Sequence, residues 1–166
     1  PGVGGRGAWN AWEVGASVVF TGGLGWLSWI DARTKRLPRR LIYATAAGVA
    51  PLLAVAALAA RHEPTRLAWM AVCAAACVAV LLLMYAVSRG GFGDGDVRLG
   101  GVIGLTLGYF GWRVAAMGLT LGFMVGAVGG LVAVAMRRVT LRSPIPFGPF
   151  MAAGAVVALA LQPALR

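Results

Sequence analysis

Between Gly91 and Gly101 the chain reads Gly-Phe-Gly-Asp-Gly-Asp-Val-Arg-Leu-Gly-Gly. Asp94 and Asp96 are two of only five acids in 166 residues, and they stand where one apolar run ends and another begins. A carboxylate at such a boundary is costly unless it is paired, solvated or used. The glycines beside it allow a backbone, an extended peptide or a second acid to come close. A polar turn between two helices would use the same residue types. A calcium loop would need a Glu at its far end and a phosphate cradle the G-x-x-x-x-G-K pattern, and neither is present.

A third acid, Asp31, closes the first apolar run. Two carboxylates brought close in a low-dielectric setting cannot both ionise cheaply, so one stays protonated and the other charged. That arrangement suits an aspartic protease: the ionised partner draws a proton from water, while the protonated one hydrogen-bonds to the scissile carbonyl and later donates. No other catalytic set is in view. His62 is the sole histidine, in a short polar turn from Arg61 to Arg66, and H-E-x-x-H is absent. Cys73 and Cys77 sit one helical turn apart in an apolar run and read as small packing residues; no disulfide or metal is expected of them.

The elements that must position these acids are apolar. The chain is 60% apolar and 12% charged, with a mean hydropathy of +0.82. Runs at Val14–Ile30, Leu41–Ala60, Leu67–Val87, Val97–Tyr109, Val114–Met136 and after Phe150 to about Leu161 predict an all-α, polytopic membrane protein of about six transmembrane helices. No linker divides it, so one domain over residues 1–166 is expected, with 1–10 a trimmed or flexible start. Glu13 is expected to stay wet at the near edge of the first span, and Trp26 and Trp29 mark its far interface. Pro38 is expected in the first turn of the second helix. The fourth run is short and should begin deep, tilt or be sheltered by neighbours. Gly22, Gly23 and Gly25, and Gly118, Gly122, Gly126, Gly129 and Gly130, suit close helix packing.

The net charge of +10 would suggest nucleic acid in a soluble domain, but here it reads as topology, and no nucleic-acid partner is expected. Threaded alternately, the connections after spans one, three and five carry ten basic residues and the opposite side, with both termini, carries five. The richer side is therefore expected to be cytoplasmic and both termini extracytoplasmic. Asp31, Asp96 and the Pro144–Phe150 turn all fall on that cytoplasmic side.

Three pieces then carry a resemblance: Asp31 with Leu37-Pro38 and Leu41, a D-x6-P pattern; Gly93-Asp94-Gly95-Asp96, a G-x-G-D pattern; and Pro146-Phe147-Gly148-Pro149-Phe150 before the last helix. In this order they resemble the type IV prepilin peptidases, or leader peptidases, membrane aspartic proteases of prokaryotic cell membranes. The resemblance implies that Asp31 and Asp96 are the catalytic pair and that Asp94 is the variable signature residue. The motif residues Gly93, Gly95, Pro38, Pro146, Phe147, Gly148 and Pro149 would position substrate or acids. Arg98 stands where the family often has Lys, and the planar guanidinium is not equivalent to an ammonium. The substrate implied is a prepilin or pseudopilin with a basic leader, cut at the cytoplasmic face beside membrane lipid. Many members carry a cysteine-rich zinc-binding insertion and methylate the new N-terminus; no C-x-x-C pair occurs here, so cleavage without methylation is expected, with no cofactor. Related alternatives are a preflagellin peptidase or a presenilin-like protease. The alternative of another class is a membrane scaffold or small ion transporter that uses the same acids.

Overall fold

An apolar segment in lipid has no water for its backbone, so every N–H and C=O must be paired internally, and a single run does this as a helix. The structure, a computed structural model, describes residues 9–34, 37–59, 64–87, 93–136 and 147–162. Among these it holds six α-helices and no strand: α1 (Ala11–Thr34), α2 (Arg39–Ala59), α3 (Pro64–Val87), α4 (Asp94–Phe110), α5 (Trp112–Ala135) and α6 (Gly148–Leu161). Only Gly111 separates α4 from α5. Its φ of 121° is one that glycine adopts without steric cost, and its N–H is donated to the Gly108 carbonyl at 3.0 Å.

Three helices, over Arg39–Ala59, Thr65–Val87 and Trp112–Val132, are long and apolar enough to cross a membrane. The other three are at least as long as the expected runs but do not combine the length and the apolarity of these three. At ~1.5 Å per residue the 17 residues of α4 reach about 25 Å and the 14 of α6 about 21 Å, against a hydrocarbon core of roughly 30 Å. In α1 glycines, hydroxyls and two acids dilute the apolar run. The short α4 is sheltered, as its length required. It packs against α2, α3, α5 and α6, and most of its residues from Val97 to Phe110 are buried.

Missing side chains make this packing possible. A Cβ on Gly104 would lie 2.5 Å from the Cys73 carbonyl oxygen, and one on Gly108 would lie 2.6 Å from that of Trp69, so α4 meets α3 backbone to backbone. Cys73 and Cys77 are free thiols buried on α3. Gly118 and Gly122 of α5 face Gly154 of α6, while Gly126 and Gly129 leave room for the Phe147 and Phe150 rings. Gly23 seats Thr45, but Gly22 and Gly25 face open space and take no part.

Glu13 corrects the sequence expectation. It is 4% exposed rather than wet, because Arg66 of α3 and Tyr109 of α4 come over it to supply donors. Pro38 also differs by one place. Its carbonyl accepts the N–H groups of Leu41 and Ile42 at 3.0 and 3.3 Å, so it stands just ahead of the first turn of α2.

The α3–α4 contact yields a first prediction. A methyl group at Gly104 meets backbone that cannot swing aside, so Gly104→Ala should cost about 1–3 kcal/mol of stability, read as a lowered unfolding midpoint in detergent.

Candidate active site

Asp31 lies in the last turn of α1 with 4% exposure, and a carboxylate so placed needs a donor. The donor is the backbone N–H of Gly148, 3.1 Å from Asp31 Oδ2. Gly148 opens α6, so this N–H is one of those a helix start leaves without an intrahelical partner. Closeness here requires glycine, since a Cβ at position 148 would sit 2.7 Å from Asp31 Oδ2. Pro149 follows in the first turn, where its missing N–H is no loss.

Asp96 is the third residue of α4 and is 7% exposed. Its Oδ2 accepts the N–H of Gly93 at 3.2 Å, and its own N–H is donated to the Gly93 carbonyl at 3.1 Å. This is the reciprocal half of a capping box, with the side chain reaching back over the helix start. Both aspartates are therefore held in the same way, by Oδ2, at the start of a helix. Their Oδ1 atoms accept no hydrogen bond from the described residues. Both carboxylates lie at the same end of the bundle, where the start of α6 that holds Asp31 also meets α4 through Met151 against Gly100.

Gly95 explains how the two helices come so close at this end. A Cβ on it would lie 2.7 Å from the Leu37 Cβ, so the start of α4 rests on the segment entering α2. Helical geometry then separates the two signature acids. At about 100° per residue, positions 94 and 96 point roughly 200° apart, one outward and one inward.

Asp94 is accordingly half exposed and bound at the rim. Its Oδ2 accepts Arg39 NH2 and Arg98 Nε, each at 3.1 Å, and its Oδ1 accepts Arg98 NH2 at 3.3 Å. These hydrogen bonds from Arg98 first, and the charges of both arginines, hold the Asp94 carboxyl below the usual carboxylate range. Arg98 also donates to the Tyr43 hydroxyl. It is thus spent on Asp94 and Tyr43, not on either buried aspartate. The Phe147 ring packs on Phe123 and Phe150, with centroids 5.3 and 6.3 Å away. Pro146 and His62 lie outside the described residues. Among the described residues, no group of three His, Cys, Asp or Glu side chains is placed to hold a metal ion.

Residues 18–135, which include Asp31 and Asp96, match the type IV leader peptidase family. The chain belongs to that family. It is 32% identical to a prepilin leader peptidase/N-methyltransferase of Stutzerimonas stutzeri, across 92% of this chain and 52% of that protein. A protein of the same description from Pseudomonas aeruginosa is 29% identical, across 92% and 52%. One from Bacillus subtilis is 38% identical across 51% and 33%. The chain thus spans about half the length, or less, of these relatives. No solved structure matches it.

In this leader peptidase family chain, sequence reasoning missed Tyr43 as the partner of Arg98, and it missed the cluster of Glu13, Arg66 and Tyr109. The signal for the cluster was present: an acid and an arginine, each at the edge of an apolar run, ask for one another. At the aspartates, Gly148→Ala should unseat the Asp31 carboxylate at little cost in stability, because the group that must move is a side-chain tip. Under the function proposed below, the variant is expected to lose about tenfold or more in proteolysis, while its unfolding midpoint stays near that of the parent.

Proposed function

We propose that this chain is a membrane aspartic endopeptidase that removes the basic leader from type IV prepilins or pseudopilins, with Asp31 and Asp96 as the catalytic pair. The observation that carries the reading is the pair itself. Two buried carboxylates from α1 and α4 come to the same end of the bundle, each anchored by one oxygen, the other accepting no hydrogen bond from the described residues. Two such groups share a proton rather than ionise together. The ionised member takes a proton from water as that water attacks the scissile carbonyl. The protonated member hydrogen-bonds to the carbonyl oxygen and passes its proton to the departing nitrogen. Gly93, Gly148 and the Leu37-Pro38 and Gly95 contact act as positioning residues, Phe147 and Pro149 fix the start of α6, and Asp94 and Arg98 form a charged rim.

The orientation follows from charge. Asp31, Asp96 and Gly148 share one end of the bundle with Arg33, Arg39, Arg40 and Arg98. An excess of arginine favours the cytoplasmic side, so the leader would be cut there while the substrate's apolar helix lies in the bilayer beside the bundle. Pairs of zinc-binding cysteines do not occur in these 166 residues. We therefore propose cleavage without methyl transfer for the chain as given; a labelled methyl group from S-adenosylmethionine appearing on cleaved prepilin would overturn that.

The direct test is co-expression of prepilin with the wild type, Asp31→Asn and Asp96→Asn. Both variants should reach the membrane in normal amounts and leave the leader attached, with cleavage reduced by about 100-fold or more. Full processing by either variant removes that residue from the pair.

A further inference from the structure

A second buried charge cluster lies at the opposite end of the bundle, and the chemistry proposed above does not use it. Glu13 Oε1 accepts Arg66 NH1 of α3 at 3.0 Å and the Tyr109 hydroxyl of α4 at 3.0 Å. Its Oε2 accepts the Asn10 N–H at 3.1 Å, and Asn10 Oδ1 accepts the Glu13 N–H at 2.8 Å, which caps the start of α1. The Arg66 guanidinium lies over the Tyr109 ring, 5.1 Å from its centroid. One carboxylate therefore joins three helices.

The placement of this cluster gives it a second consequence. Asp31 lies 18 residues beyond Glu13 on α1, and Tyr109 lies 13 beyond Asp96 on α4. At ~1.5 Å per residue these are separations of about 27 Å and about 20 Å. Between the two ends α1 and α4 make little contact with one another, and α2 and α6 each pack on both. The helices that carry the proposed catalytic pair are thus tied directly at one end by the Glu13–Tyr109 hydrogen bond, and at the other end they carry Asp31 and Asp96. Apolar packing alone tolerates small slides and rotations of a helix. A buried carboxylate held by a guanidinium and a phenol has one good geometry.

We propose that Glu13, Arg66 and Tyr109 are positioning residues, a clasp that fixes α1 against α4 and so sets the separation of Asp31 and Asp96. The inference rests on the peptidase reading for its kinetic consequence, since a displacement of about 1 Å at reacting groups can cost about 100-fold in rate.

The test compares wild type, Tyr109→Phe, Glu13→Gln and Leu53→Ala in lipid or detergent, with rates expressed per folded molecule. Tyr109→Phe removes one hydroxyl and leaves the charges of Glu13, Arg66, Asp94, Arg39 and Arg98 in place. It and Glu13→Gln should lower kcat about tenfold or more with KM little changed. Both should also narrow the pH–rate bell, because the splitting between two interacting carboxylates shrinks as they move apart. Leu53→Ala opens a cavity in the α2 core and should lower stability without changing kcat per folded molecule. A readout independent of catalysis is the distance distribution between spin labels at Ala32→Cys and Asp94→Cys, on a background with Cys73→Ala and Cys77→Ala. It should broaden in Tyr109→Phe. An unchanged distribution, wild-type kcat and bell width, a change in KM alone, or activity that falls only with folded fraction as in Leu53→Ala would each overturn the clasp. A wild-type chain that leaves prepilin uncut would instead overturn the peptidase reading, with the spin-label distances still deciding the clasp.

Discussion

Two carboxylates buried in a bundle of apolar helices must find hydrogen-bond donors where little water reaches, and the arrangement of this chain answers that demand. The donors are backbone N–H groups at helix starts, which lack intrahelical partners in any case. Asp96 takes the N–H of its own helix's N-cap, Gly93, and Asp31 takes the N–H of Gly148, the first residue of α6, from the other end of the sequence. A helix start also carries partial positive charge, which suits an acid. Among the described residues, one backbone donor per aspartate satisfies a single oxygen.

Such contacts require backbones to approach more closely than side chains normally allow. In lipid no hydrophobic force drives helices together, so close van der Waals contact and interhelical hydrogen bonds must do so. The glycines of α4 on α3, and those of α5 against α6, provide that closeness. They also seat α4, which carries Asp96, in the middle of four neighbours. Gly95 and Gly148 apply the same device at the site, where the atoms admitted are Leu37 and the Asp31 carboxylate.

The four acids among the described residues are not treated alike. Asp94 at the rim is neutralised by two arginines in water, where such pairs hold little energy but keep the charge fixed. Glu13 is buried and fully engaged, with donors on both oxygens. Asp31 and Asp96 are buried, and among the described residues each finds a donor for one oxygen. That difference in saturation, rather than burial alone, separates the groups suited to chemistry from those suited to holding the bundle together.

Much of this was legible in the sequence. Long apolar runs dictated helices because lipid leaves the backbone no alternative, and alternate threading of those runs put Asp31, Asp96 and the turn before α6 at one end. What the sequence could not decide were partners distant along the chain. Nothing local shows that the Gly148 N–H reaches Asp31, that Arg98 is drawn to Asp94 and Tyr43 instead of a buried acid, or that Glu13 is covered rather than wet. Whether each helix fills a bilayer was equally a tertiary matter, since α4 is short and depends on its neighbours for shelter. Periodicity and hydropathy are properties of a segment and can be read from it; donors, cover and separation are properties of packed pairs and come into being only when the helices meet.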